Sequence, residues 1–309
     1  MDRPDAGRET SQHWVVVPLF GPATGPVAQS LLPLLEAGLG LVLVDNNPAE
    51  KNPTDAGSGV PWPVADHLAC RWVRNANRGG IAGGFNSGVE AALALGARTI
   101  TLLDQDSGIT PAGLQGLRDL LERYPSERLL VGPRIWDQRR QRWHDPVLAR
   151  WLGHPCARLL ISSGTTFAAT QWPLLGPLDE ELFIDFVDHA WCFRAQAAGF
   201  VLLQHPGVQL AQQFGDPHPN GICRWLGMEL YSPQRHYYSL RNLRWLLRQG
   251  WVPIDLRIKE LIKMLVKPWL WLLFEPKRRA NARAILAGLT APLPQAAGAM
   301  VHPPAESVS

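Results

Sequence analysis

Four short apolar runs separated by helical patterns restrict this chain more than any other feature of it. Trp14-Val15-Val16-Val17-Pro18, Leu39 to Val44, Leu68 to Arg74 and Thr99 to Leu103 are each of strand length. Between them, Val27 to Leu35 carries an amphipathic stripe ending near Gly38, and Phe85 to Leu95 presents an alanine face stopped at Gly96. Strands alternating with helices over brief connections demand a parallel sheet with right-handed crossovers, so the first third of the chain reads as a Rossmann-like nucleotide-binding half. Beyond Pro111 the pattern predicts a helix to about Tyr124 and a further strand from Leu129 to Val131. Residues 49–66 read as a surface loop, and residues 133–158 as a basic, Trp-rich, irregular stretch.

The fourth run ends abruptly in Asp104-Gln105-Asp106-Ser107. Ligands of open α/β sheets bind beyond the carboxyl ends of the strands, which is where these carboxylates fall. Two carboxylates at this spacing can share a hard divalent cation that also takes oxygens from a substrate phosphate. The same residues also suit a polar turn whose aspartates cap the backbone around Ser107. The paired glycines of Asn77-Arg78-Gly79-Gly80-Ile81-Ala82-Gly83-Gly84-Phe85-Asn86 match neither a dinucleotide fingerprint nor a phosphate-binding P-loop. Glycines at the mouth of a helix still let backbone N–H groups approach a ligand, and a plain loop-to-helix turn reads equally well.

Composition narrows the function classes. With 46% apolar and 18% charged residues, the chain is built to fold around a core. A net charge of +3 gives no argument for nucleic acid as a partner. The four cysteines, Cys70, Cys156, Cys192 and Cys223, are too scattered for a zinc site or a disulfide framework and read as reduced thiols. Residues 1–12 carry both charge signs, unlike a signal peptide, and read as a flexible N-terminus of a cytoplasmic protein.

Farther on, Ile161-Ser162-Ser163-Gly164-Thr165-Thr166 is a small polar segment suited to lining a binding surface. In Leu182-Phe183-Ile184-Asp185-Phe186-Val187-Asp188-His189-Ala190-Trp191-Cys192-Phe193-Arg194, carboxylates sit among aromatics, and burying them unpaired is costly. Asp185 or Asp188 can cap a helix with Trp191 and Phe193 facing the core, and one of them can also serve as a general base.

In this order the motifs resemble family 2 glycosyltransferases, and among them bacterial rhamnosyltransferases, over roughly residues 14–250. The matching pieces are Val44-Asp45-Asn46-Asn47, Asn77 to Gly88, Leu103-Asp104-Gln105-Asp106-Ser107, Ser162-Ser163-Gly164, Leu182 to Arg194, and Tyr231 to Tyr238 with Arg241-Asn242. The resemblance implies a GT-A fold: an α/β, Rossmann-like mixed sheet with helices on both faces. It implies inverting transfer of a sugar, L-rhamnose from dTDP-β-L-rhamnose, to a hydroxyl of a cell-surface glycan or lipid-linked precursor. It implies Mg²⁺ or Mn²⁺ at Asp104 and Asp106, and Asp188 as general base. Pro18, Asp45, Asn77, Gly80, Asn86, Asp104, Gln105 and Arg235 are implied to bind the nucleotide sugar, and Ser163, Gly164, Asp185 and Trp191 to face the acceptor. Two positions depart from the pattern. Ala190 stands where relatives often carry an acidic residue, and Gln212 where they commonly place a metal-binding His, with His205 close enough in sequence to substitute. A sugar-nucleotide pyrophosphorylase would need a basic loop after the first strand, and Pro18 to Gly25 holds no Lys or Arg. A catalytically degenerate scaffold that binds glycan or a partner is the other reading that Ala190 and Gln212 suggest.

From Arg257 the character changes. Lys259, Lys263 and Lys267 form one stripe of a helix, and Leu261, Ile262, Leu265, Val266, Trp269, Leu270 and Leu273 fill the other side. Pro268 is expected to kink or divide this helix. The apolar core is shorter than the ~20 residues a bilayer span needs. Basic and apolar faces with a trailing Lys277-Arg278-Arg279 suit a helix lying on an anionic leaflet, the cytoplasmic face of an inner membrane, and packing on the domain or on a second copy in a homo-oligomer suits it too. The domain reading is therefore a GT-A unit over 13–250, a C-terminal helical appendage over 251–291 and a flexible tail over 292–309.

Overall fold

The computed structural model describes residues 11–21, 25–48, 69–138, 141–143, 149–212, 216–218, 220–225 and 228–295. The expected loop at 49–66 and most of both termini lie outside these residues. The first half alternates as the pattern predicts: β1 (His13–Leu19), α1 (Gly25–Glu36), β2 (Gly40–Asp45), β3 (Cys70–Arg74), α2 (Gly80–Ala94), β4 (Thr99–Leu102), α3 (Pro111–Arg123) and β5 (Leu129–Asp137). There follow β6 (Arg142–Trp143), β7 (Ala149–Trp151), β8 (His154–Cys156), β9 (Thr166–Ala168), α4 (Trp172–Leu175), α5 (Val187–Ala197) and β10 (Val201–Gln212). The chain closes with β11 (Asp216–Pro217), α6 (Gly221–Trp225), β12 (Glu229–Leu230), α7 (Pro233–Leu246), α8 (Ile254–Phe274) and α9 (Arg278–Thr290).

The main sheet runs in the order β3-β2-β1-β4-β9-β5-β10-β8-β7, with β6 beside β5. β3, β2, β1 and β4 are mutually parallel, and β9 lies antiparallel to both β4 and β5. β1 is buried on both faces, as its unbroken apolar run requires: Trp14 and Val16 enter one core, and Val15, Val17 and Leu19 the other. α2 and α5 cover the first face, and α1 and α3 the second. β5 continues to Asp137, well past the predicted strand, although Gly132-Pro133 interrupts it. Pro133 has no N–H to give, and its partner β10 bulges at that level, shifting register between His205 and Gln209.

The glycine-rich segment is largely helix, because α2 begins at Gly80 rather than Phe85. Its glycines serve close packing. A Cβ on Gly88 would stand 2.2 Å from Val16 Cγ1, and one on Gly84 would stand 3.0 Å from Pro18 Cβ. The mouth of α2 is also closed, since Ile81 N–H donates to Phe183 O at 3.1 Å.

The C-terminal helices are seated on α7. Buried His236 of α7 pairs with Glu275 through Nε2 and Oε2 at 2.7 Å, and Asn281 of α9 donates to the same oxygen at 2.7 Å. Trp271 stacks on His236 with ring centroids 4.1 Å apart. α8 runs as one helix past Pro268 and is not divided there.

Candidate active site

The carboxyl edge of the parallel strands gathers most of the polar residues singled out in the sequence. Asp45 ends β2, buried, with Oδ1 accepting from Asn47 N–H at 3.1 Å and from Asn47 Nδ2 at 2.8 Å. Beside it, Asn46 donates to Gly80 O at 2.9 Å and accepts from Asn75 Nδ2 at 2.7 Å, while Asn75 accepts from Ser87 at 2.9 Å. These amides fix the turn after β3, where Asn77 takes a left-handed φ of 57°. Asn46 and Asn75 are both buried, and their motif neighbours were the only sequence signal for them.

Asp104 follows β4 directly and is half-buried, and Asp106 is exposed. Burial, then the charges of Asp188 and Asp106, push the Asp104 carboxyl up to about 7. Asp188 lies in the first turn of α5. Burial raises it to about 6, against hydrogen bonds from the N–H and hydroxyl of Ser162, and nearby Asp185 adds to the rise. Asp104, Asp106 and Asp188 thus share one electrostatic neighbourhood, although Asp188 is far from the others in sequence. Ser162-Ser163-Gly164 joins them. Asp104 N–H donates to Ser163 Oγ at 3.2 Å, and Gly164 N–H to Leu102 O at 2.7 Å. Asp106, Gly108, Gln138, Ala211 and Gln212 line a cavity of about 440 Å³, and Ser107 Oγ donates to Gln212 Oε1 at 2.9 Å.

Asp188 is placed by a strained loop. Phe183, Asp185 and Phe186 all have φ between 62° and 66°, a region costly for residues with side chains. α7 holds that loop. The buried Asn242 amide donates to Leu182 O at 2.8 Å, Ile184 O at 2.7 Å and Asp185 O at 3.0 Å. Arg241 donates to Glu181 O and Leu182 O, and Arg235 pairs with Asp185 at 2.7 Å while lying over the Tyr231 ring.

Several expected contacts are corrected. Trp191 is not on the acceptor side: it is a core residue whose Nε1 donates to Gly176 O at 3.0 Å. Asn86 does not face a ligand either, because its buried amide exchanges two hydrogen bonds with the Leu178 backbone at 2.9 Å. Gln105 uses both amide atoms on Phe20, accepting from its N–H at 2.8 Å and donating to its O at 3.0 Å, so it ties the end of β1 to the end of β4. Gly80 is walled off by Phe183 O, which a Cβ would meet at 2.2 Å. Ser163 and Gly164 are buried beneath the Asp104 backbone and shape the site from below. His205 is no substitute for Gln212. It packs against Gly116 of α3, and burial with neighbouring His154 and Arg123 holds its pKa down. Ala190 is fully buried in the core beside Trp191 and Phe193.

The strand order with the reversed β9 is that of the GT-A fold, and two solved structures share it. GalNAc-T7, solved with UDP, GalNAc and Mn²⁺, superposes with a TM-score of 0.55 at 12% identity, covering 90% of this chain and 59% of that one. Residues 1–349 of S. aureus TarS, in complex with UDP-GlcNAc, give a TM-score of 0.51 at 14% identity over 88% of this chain and 79% of that one. In sequence, the chain is similar to the dTDP-rhamnosyl transferase RfbF of Shigella flexneri. The two are 30% identical over 199 residues, 60% of this chain and 66% of the relative, so the match spans just under two thirds of that protein's length. No family model matches the chain.

Proposed function

We propose that the protein is an inverting glycosyltransferase that moves a sugar from a nucleotide-sugar donor to an acceptor hydroxyl, with dTDP-L-rhamnose as donor. The convergence of Asp104, Asp106 and Asp188 at the carboxyl edge of a GT-A sheet carries this reading. The similarity to the Shigella flexneri rhamnosyl transferase supports the choice of sugar.

The donor set fits a hard divalent cation. Asp104 is crowded by two like charges, a strain that Mg²⁺ or Mn²⁺ relieves, and such ions complete their shell with water and phosphate oxygens. Among the described residues no group of three or more His, Cys, Asp or Glu side chains is arranged to hold a metal. In this reading the protein gives two carboxylates, and the donor diphosphate gives further oxygens. A cation bound there would supply charge neutralisation for the departing nucleoside diphosphate. In this reading Asp45 faces the nucleoside, and the buried Asn46 and Asn75 amides brace the turn behind it.

Asp188 acts as the general base. The Ser162 hydrogen bonds fix its carboxylate, and a pKa near 6 leaves it ionised at neutral pH yet a stronger base than an ordinary aspartate. It takes the acceptor proton as the hydroxyl oxygen bonds to the anomeric carbon. The bond from that carbon to the diphosphate oxygen breaks on the opposite face, so configuration inverts. A cell-surface glycan or lipid-linked precursor is the acceptor class we assign, following the resemblance.

The experiment is product analysis with dTDP-rhamnose and Mn²⁺, scoring release of dTDP. Release by the wild-type protein, cut about 10²–10⁴-fold in Asp188→Asn, is the expected result. No release with any nucleotide sugar, or an Asp188→Asn protein as active as wild type, would overturn the assignment.

A further inference from the structure

α8 is seated on the domain by one side only. Pro268 and Trp271 are its buried residues, and the opposite side is open. Ile258, Ile262, Leu265, Val266, Trp269 and Leu273 recur there at helical spacing, and Leu265 and Trp269 are 62% and 68% exposed. The stripe extends along about 23 Å of helix. An apolar surface this continuous marks an interaction site rather than ordinary surface.

The charges around the stripe identify its occupant. Lys259 and Lys263 follow one edge, each one position beyond an isoleucine of the stripe, and exposed Lys277, Arg278 and Arg279 follow the helix end. The acidic groups of this region are paired: Asp255 with Arg158, Glu260 with half-buried Lys263 on α8 itself, and Glu275 with His236 and Asn281 inside the protein, so the positive charge beside the stripe rests on Lys259, Lys277, Arg278 and Arg279. We propose that α8 docks the protein on an anionic lipid bilayer, lying in the interface with its apolar stripe among the acyl chains and its cations at the headgroups. A second copy fits less well, because an antiparallel two-fold contact through this stripe would set Lys259 edge against Lys259 edge, and a parallel one would set that lysine edge against apolar side chains. Among the described residues no helix is long and apolar enough to cross a membrane, so α8 lies on the surface rather than spanning it.

This inference is independent of the transferase reading, because vesicle binding requires no turnover. The full chain is sedimented with phosphatidylcholine vesicles and with vesicles containing phosphatidylglycerol, at low and high salt. Pelleting with the anionic vesicles, weakened by salt, is expected. A Leu265→Glu/Trp269→Glu variant should lose partitioning by about 10²-fold, since it places charges where two side chains enter the apolar layer. Both positions are solvent-exposed, so the variant should keep the wild-type thermal midpoint. A wild-type protein that stays in the supernatant with anionic vesicles would overturn the proposal. So would equal pelleting of the variant, or a wild-type dimer that the variant converts to monomer without any vesicle binding.

Discussion

Asn242 is the residue whose removal tests the architecture of the site most sharply. Its side chain is fully buried, and its amide donates to three carbonyls of one loop, those of Leu182, Ile184 and Asp185. Asn242→Leu keeps the volume and removes the donors. The amide has two N–H groups to share among these three carbonyls, and at about 1–3 kcal/mol for each buried donor lost the cost is about 4 kcal/mol. The freed loop, however, relaxes in part, and relief at one of its left-handed residues, Phe183, Asp185 or Phe186, returns about 2 kcal/mol. We therefore expect a net loss of about 2 kcal/mol, seen as a urea midpoint lowered by roughly 0.7 M with an unchanged slope. Turnover should fall further than stability implies. The loop sets the position of Asp188, and a displacement of about 1 Å in such a group costs about 10²-fold. An unchanged midpoint would show that the amide does not strap the loop. A lowered midpoint with wild-type turnover would show that the loop does not place the base.

Three further outcomes follow from the same structure. The Asp188 carboxylate must be ionised to accept a proton, so turnover should fall as pH drops through about 6. A pH–rate profile without that fall would contradict the assignment. Arg194 and Asp179 form a buried ion pair at 2.8 Å, and Asp179→Ala, which strands the guanidinium, should lower stability by about 3–5 kcal/mol in urea titration, whereas Ala at exposed Asp255 should change little. Gly88→Ala forces a Cβ to within 2.2 Å of Val16 Cγ1, and should destabilise by about 1–3 kcal/mol despite the better helix propensity of alanine, as measured by thermal unfolding.

The parallel half of the sheet was legible because its signal is local: apolar runs of strand length separated by helical stripes, each ending in turn residues. The second half was not. β5 passes through Gly132-Pro133, a pair that reads as a break, and survives because β10 bulges opposite it. No local pattern announces that compensation. In the site, Asp104, Asp106 and Asp188 could be picked out as carboxylates in revealing company. Their meeting depends on Ser162 and on a loop whose left-handed residues are two phenylalanines and an aspartate, none of which advertises that conformation as glycine would. Asn86, Gln105 and Trp191 misled for a related reason. Their neighbours in the motifs belong to the site, but their own side chains brace the strands and loops behind it.

Calorimetric titration of dTDP-rhamnose, with Mn²⁺ and again with EDTA, tests the central claim most directly. The account predicts binding that needs the metal and is lost in Asp106→Asn, whose exposed carboxylate lines the cavity beside Gln212. Absence of nucleotide-sugar binding under both conditions would contradict it, as would metal-independent binding that Asp106→Asn leaves untouched.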